Sequence, residues 1–81
     1  MEDVEVTAVP QLWAFFDDVD ALIVPPDLGE ALDLDAWEAL APSYRRNVLR
    51  WIKLAKTPAT RAKRIRSATE ATRNGEKLPQ M

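Results

Sequence analysis

The chain has 81 residues, 47 % of them apolar, with 13 acidic and 11 basic residues, a net charge of −2 and neither cysteine nor histidine. This composition predicts one small globular domain and excludes disulfides, thiolate chemistry and the commonest metal ligands. The longest apolar run is far shorter than the roughly 20 residues that cross a bilayer, and the acidic start is unlike a secretory signal. We therefore expect a cytoplasmic protein that does not insert into membranes.

Acidic and basic residues are divided between the two halves of the chain. Every basic residue lies after residue 41, whereas only Glu70 and Glu76 among the 13 acidic residues do. A one-sided basic field favours association with polyanions or with acidic protein surfaces. The two halves would also attract each other, and lowering the pH through the range in which carboxylates titrate should then loosen the fold.

The first 23 residues show only short patterns. Alternating apolar residues at positions 4, 6 and 8 indicate an extended piece. Pro10 and the apolar residues three or four positions apart around it predict a helix near residues 10–17. Because Val24 precedes a proline, residues 21–24 should be extended. We expect residues 1–23 to form an acidic, irregular and partly extended segment that packs on the core.

Two short helices are predicted next. A Pro-Pro-Asp run at residues 25–27 is typical of a helix start, and this helix should continue to about residue 32. Asp33 or Asp35 can cap a second short helix that contains Trp37 and Leu40.

A longer third helix is predicted over about residues 44–56, with Ser43 as its cap. One side of this helix carries an apolar stripe at helical spacing, made of Tyr44, Val48, Trp51, Ile52 and Ala55. Basic residues cover the opposite side, so the helix should be amphipathic and central to the fold.

Thr57 followed by Pro58 predicts the cap and first turn of a fourth helix, which should run to about residue 74. Gly75 suits the left-handed residue that follows a helix end. Apart from Ile65, the apolar residues of this helix are alanines, which allow a close approach to a neighbouring helix but bury little area.

These elements predict a mainly all-α fold, a small bundle of three or four helices. We expect residues 24–77 to form the helical domain, with the acidic N-terminal segment packed across the third helix. Residues 78–81 should be a tail.

Four runs of residues, taken in order, are similar to those of a known family. They are Val24-Pro25-Pro26-Asp27-Leu28, Leu40-Ala41-Pro42-Ser43-Tyr44-Arg45-Arg46, Trp51-Ile52-Lys53-Leu54-Ala55-Lys56 and Thr60-Arg61-Ala62-Lys63-Arg64-Ile65. This combination resembles the bacterial YdeI/OmpD-associated, or bacteriocin-protection, family over roughly residues 24–77. Many relatives carry a small β-barrel domain before the helical unit, and this chain looks like a stand-alone version of the helical unit. The resemblance implies a role in bacteriocin tolerance or a link to an outer-membrane porin, and it supplies no catalytic or ligand residue.

Basic residues of the two long helices form the candidate partner-binding surface: Arg45, Arg46, Arg50, Lys53, Lys56, Arg61 and Arg64. The preferred interpretation is a non-enzymatic interaction domain that docks a protein with an acidic or amphipathic surface. The alternative is a nucleic-acid-binding module in which the same arginines contact phosphates. A third interpretation is a solvated face whose arginines pair with the acidic half of the chain.

Arg61 and Arg64 lie one turn apart and could hold one carboxylate or phosphate between them. A structural ion pair to Asp33, Asp35 or Glu38 would use the same geometry, and we favour it.

Other candidate sites are better explained structurally. Asp17, Asp18 and Asp20 lack the loop of a calcium site and should attract the basic helices or cap nearby chain instead. Ser43 has no histidine to activate it. The aromatic residues have the spacing of core residues rather than of a base-stacking platform. We predict no enzyme activity, no cofactor and no metal site.

Overall fold

The computed structural model describes residues 16–79, and within that range the chain forms five helices and no strand. The helices are α1 (Asp17–Asp20), α2 (Pro26–Ala31), α3 (Leu34–Glu38), α4 (Pro42–Lys53) and α5 (Pro58–Arg73). The predicted all-α class is confirmed. The patterns that we noted in residues 1–15 lie outside the described range. No helix in the described part of the chain is long and apolar enough to cross a membrane.

Residues 21 and 22 are not extended, so the prediction for residues 21–24 is wrong at its first two positions. They end α1 instead: the N–H of Leu22 donates to the Val19 carbonyl at 3.0 Å, and the N–H of Ile23 donates to the Asp18 carbonyl at 2.9 Å. Leu22 has a φ of +61°, a left-handed conformation that costs roughly 1–2 kcal/mol for a residue with a Cβ. Its side chain packs against the core, and this contact offsets the strain.

The two short helices follow the predicted signals. Helix α2 has its proline in the first turn, and α3 is capped by Asp33, whose Oδ1 accepts a hydrogen bond from the N–H of Ala36 at 3.3 Å. Trp37 of α3 is buried with 1 % of its surface exposed. Leu40 lies beyond the end of α3 rather than within it.

Helix α4 begins and ends earlier than predicted. Its cap position is Ala41, and Ser43 lies inside the first turn without a capping hydrogen bond, because Pro42 has the fixed φ and the missing N–H that suit the first helical position. The helix ends at Lys53 rather than near residue 56. Further along, Pro58 disfavours helical backbone at Thr57, which has a φ of −130° and a ψ of 155°, so the following helix is a separate element.

The core lies between α4 and the other helices. It consists of Val19, Leu28, Leu32, Trp37, Tyr44, Val48, Leu49, Ile52 and Ala68. Three members of the predicted α4 stripe are buried, Trp51 and Ala55 are half-buried, and Leu49 is a core residue that the stripe omitted. Four residues of α4 are therefore buried, as expected for a central helix.

Helix α5 packs against α2, α3 and α4. Thr57 caps it as predicted, since its Oγ1 accepts a hydrogen bond from the N–H of Thr60 at 3.1 Å. Gly75 has a φ of +71°, and the N–H of the next residue closes the helix end by donating to the Ala71 carbonyl at 2.8 Å. The buried residues of α5 are Ala68, Ala71 and Thr72, so its small side chains do allow close packing.

The chain after α5 returns to α4. The N–H of Leu78 donates to the Tyr44 hydroxyl at 3.0 Å, and Lys77 lies over the Tyr44 ring with its Nζ 5.6 Å from the centroid. Leu78 also packs against the core. The first residue of the predicted tail is thus attached to the start of α4.

Candidate interaction surface

Most of the seven predicted partner-binding residues already contact another part of the described chain. Arg45 contacts Leu40, Arg50 contacts Phe16, Lys53 contacts Asp18, Arg61 contacts Asp27 and Arg64 contacts Trp51. Arg46 and Lys56 have no hydrogen bond, ion pair or ring contact with the described residues. The seven residues therefore do not form a single row of unpaired cations.

Two ion pairs join the acidic and basic halves within residues 16–79. Lys53 Nζ lies 2.7 Å from Asp18 Oδ1, which ties α4 to α1. Arg61 binds Asp27 through two hydrogen bonds, from Nε at 2.8 Å and from Nη2 at 3.1 Å, which ties α5 to α2. This confirms that Asp18 is attracted to a basic helix.

These ion pairs change the acidity of the groups that form them. The hydrogen bond from Lys53 lowers the pKa of Asp18, and the hydrogen bonds from Arg61 lower the pKa of Asp27. In the same pair, Asp27 raises the pKa of Arg61. Both aspartates therefore stay ionised to a lower pH than an unpaired aspartate would.

The remaining contacts of the arginines hold helix ends. Arg64 donates to the carbonyl of Trp51 in the last turn of α4, and its guanidinium lies over the Trp51 ring, 5.1 Å from the centroid. Arg45 donates to the Leu40 carbonyl at 3.0 Å, just beyond α3. Arg50 lies over the Phe16 ring, 5.6 Å from the centroid. Carbonyls near helix ends lack an intrahelical donor, and Arg45 and Arg64 supply one to Leu40 and Trp51.

The predicted partners of Arg61 and Arg64 are wrong, although a structural ion pair is present. Arg61 binds Asp27 rather than a carboxylate of α3, and Arg64 binds a backbone carbonyl. The two side chains have different neighbours, since Asp27 belongs to α2 and the Trp51 carbonyl to the last turn of α4. They do not form a clamp for one anion.

A groove lies where α1, α4 and α5 meet. It is lined by Asp18, Val19, Ile23, Pro25, Leu49, Ile52, Lys53 and Arg61, and has a volume of about 190 Å³. We call it the apolar groove. Ile23 is 58 % exposed at its edge, and Lys53 and Arg61 stand beside it. An exposed apolar side chain next to cations can receive an apolar group that is flanked by carboxylates.

The sequence patterns identified the two cations of this groove and its Ile52, but not Leu49 or Ile23 as groove residues. Leu49 follows Val48 and falls off the predicted stripe, and Ile23 was assigned to an extended stretch. The described residues contain no group of acidic side chains arranged to hold a metal ion. No nucleophile with an activating base lies in the apolar groove.

The comparison with known proteins identifies the family. No curated protein and no solved structure matches the chain. The family model described as "Bacteriocin-protection, YdeI or OmpD-Associated" matches residues 21–75, which is more than half of the chain. The matched range contains helices α2 to α5. This match confirms the resemblance seen in the four residue runs. The chain belongs to the bacteriocin-protection, YdeI or OmpD-associated family.

Proposed function

We propose that this chain is a non-enzymatic interaction domain of the bacteriocin-protection type, which docks a protein partner through the apolar groove and its two cations. The observation that carries the proposal is the exposed Ile23 beside Lys53 and Arg61. A partner segment with one apolar side chain between carboxylates would place the apolar group against Ile23. Its carboxylates would then reach the cations.

The size of the groove supports docking of a side chain rather than turnover of a small molecule. Its volume of about 190 Å³ is below the range of about 300–1,000 Å³ that is usual for small-molecule sites. Its walls are mainly aliphatic, and its charged members are already ion-paired. Such a site offers contact area and orientation but no group poised to transfer a proton.

The same contacts favour a protein partner over nucleic acid. Arg61 and Arg64, the pair best placed in the sequence for phosphate contact, are bound to Asp27 and to the Trp51 carbonyl. A phosphate that approached Arg61 would have to compete with the Asp27 carboxylate at the same guanidinium. The carboxylates of a protein partner would meet the same competition, so the contact that favours a protein is the exposed Ile23, which an apolar side chain can cover and a phosphate cannot.

The test is a titration of ¹⁵N-labelled protein with a short acidic peptide that carries one leucine between glutamates. Shifts should concentrate at the groove residues, including Val19, Ile23 and Leu49. Ile23→Asp should weaken binding about tenfold, since a loss of about 1.4 kcal/mol is typical of a buried contact residue. Leu54→Asp is the matched control, because Leu54 is 50 % exposed and lies outside the groove.

Two versions of the peptide separate the apolar from the charged contribution. A Leu→Ala peptide should lose the shifts at Ile23, and a Glu→Gln peptide should lose the salt dependence of binding. Equal losses for Ile23→Asp and Leu54→Asp would refute docking in the groove. A DNA oligonucleotide that binds at the same residues, with no response to the peptide, would favour the nucleic-acid alternative.

A further inference from the structure

Helix α5 has a second surface on the side opposite to Arg61. Lys63, Arg66 and Arg73 lie on one face of the helix, and all three side chains are exposed. By helical geometry, Arg61 and Arg64 point roughly 140–160° away from Arg66. We call the surface formed by Ala59, Ala62, Lys63, Arg66, Thr69 and Arg73 the outer α5 face.

The cations of the outer α5 face have no partner within residues 16–79. Neither Lys63, Arg66 nor Arg73 makes a hydrogen bond, ion pair or ring contact with the described residues. Glu70 lies one turn from Arg66 and from Arg73, yet it pairs with neither. Open depressions lie on both sides of Arg66, which lines each of them, so a partner can approach its guanidinium closely.

The same molecule carries an unpaired acidic surface. Of the acidic residues in the described part of the first half, only Asp18 and Asp27 are in ion pairs. The others are exposed and without a cation within ion-pair distance among residues 16–79: Asp17, Asp20, Glu30, Asp33, Asp35 and Glu38. Among residues 16–79, the attraction between the two halves is therefore only partly satisfied.

The spacing of the charges matches across these two surfaces. Asp35 and Glu38 are three residues apart on α3, and Lys63 and Arg66 are three residues apart on α5. Each pair spans about 4.5 Å along its helix axis, so both carboxylates can face both cations at once. A net charge of −2 leaves little overall repulsion between copies.

We propose that the outer α5 face binds the α3 carboxylates of a second copy of this chain. The two surfaces are different patches, so the contact is heterologous: each copy offers its basic face to the acidic face of the next. A nucleic-acid backbone would be repelled by the exposed carboxylates of the first half of the chain, whereas a second copy brings cations that can face those carboxylates. The apolar groove lies on the other side of α5 and stays accessible.

The test uses two variants that each remove one side of the contact. Arg66→Glu/Arg73→Glu reverses the basic face, and Asp35→Lys/Glu38→Lys reverses the acidic face. Diffusion measured by NMR at about 1 mM protein and about 50 mM salt suits a weak contact of exposed charges. The wild type should show a hydrodynamic radius larger than that of the monomer, by about 1.3 times for each doubling of the mass.

Each variant alone should remain a monomer, and an equimolar mixture of the two should recover the larger radius. Recovery is expected because the mixture pairs an intact acidic face with an intact basic face. Arg46→Glu/Lys56→Glu is the matched control, with the same change in charge at cations outside the outer α5 face; it should associate as the wild type does. Circular dichroism checks that all variants are folded.

Three results would overturn the proposal. A wild type that stays monomeric under these conditions excludes the contact. A mixture that is no larger than its separate components excludes complementary faces. Equal loss in the Arg46→Glu/Lys56→Glu control would show that only total charge matters.

Discussion

Helices α4 and α5 are both basic, both begin at a proline and both reach the core, yet they bury different kinds of side chain. Helix α4 buries Tyr44, Val48, Leu49 and Ile52, whereas α5 buries Ala68, Ala71 and Thr72. Large apolar side chains remove much area from water, and small ones remove little. Helix α4 therefore contributes most of the apolar burial, while α5 depends on close packing.

Helix α5 compensates with polar contacts in its N-terminal half. Thr57 caps its start, Arg61 binds Asp27, and Arg64 binds the last turn of α4. These contacts lie at or near the surface. Each contributes between a fraction of 1 kcal/mol and about 3 kcal/mol to the free energy of unfolding. Two helices of similar charge are thus held in place by different interactions, apolar burial in α4 and polar contacts in α5, and substitutions can separate them.

The largest expected effect is at Ile52 of α4, compared with Ile65 of α5. Ile52 is 1 % exposed, so Ile52→Ala should lower the free energy of unfolding by about 2–5 kcal/mol. Ile65 is only half-buried, so Ile65→Ala should cost about half as much or less. Urea unfolding of both variants checks this order. Equal losses would contradict the view that apolar burial is concentrated in α4.

Arg64 tests the polar contacts of α5. Arg64→Ala removes the hydrogen bond to the Trp51 carbonyl and the ring contact, and should cost about 1–2 kcal/mol. Arg64→Lys should restore part of this loss, because a lysine keeps the charge but not the planar guanidinium. Arg66→Ala, on the outward side of the same helix, should stay within about 0.5 kcal/mol of the wild type.

Thermal unfolding of these three variants measures the order of their stabilities. A loss for Arg66→Ala as large as that for Arg64→Ala would mean that general charge, and not the contact with α4, stabilises α5.

The two helix starts give a smaller and more local test. Thr57→Ala removes the capping hydrogen bond of α5 and should cost about 1 kcal/mol. Ser43→Ala should cost nothing and can add a few tenths of a kcal/mol, because Ser43 lies inside α4 without a capping bond. Chemical denaturation measures the free energy of unfolding of both variants. A larger loss at Ser43 than at Thr57 would contradict the assignment of the two caps.

Local signals explain which parts of the fold were predictable. The caps at Asp33 and Thr57 and the helix end at Gly75 depend on residues within a few positions of each other, and these predictions are confirmed. Ser43 was misassigned because two local signals competed, and Pro42 at the first helical position prevailed.

The candidate site was predictable only in part, because it depends on contacts between distant segments. Lys53 and Arg61 were identified as exposed-face cations, but their partners lie 35 and 34 residues away in the sequence. Ile23 borders the apolar groove just after the left-handed turn at Leu22 that ends α1. Leucine rarely adopts a positive φ, so the sequence does not predict this turn. Periodicity within one helix contains no information on such contacts.

The smallest expected effects belong to the two ion pairs, and pH can isolate them. The pKa values of Asp18 and Asp27 are lowered in the folded chain by Lys53 and Arg61. Each pair therefore stabilises the fold above the unfolded pKa of about 3.9, and this contribution is lost as the pH falls through the lowered folded pKa. Both aspartates are about half exposed, so each pair should contribute no more than about 1 kcal/mol.

Melting temperatures of the wild type, Asp18→Asn and Asp27→Asn measured from pH 7 to pH 2 test this contribution. The wild type should be more stable than either variant at neutral pH, and the difference should shrink below about pH 4 because the wild-type carboxyls become neutral too. Asp17→Asn is the matched control, since Asp17 has no ion pair among the described residues. A difference that persists at pH 2 would show that the amide disturbs packing, and that charge attraction between the two halves adds little to the apolar core of α4.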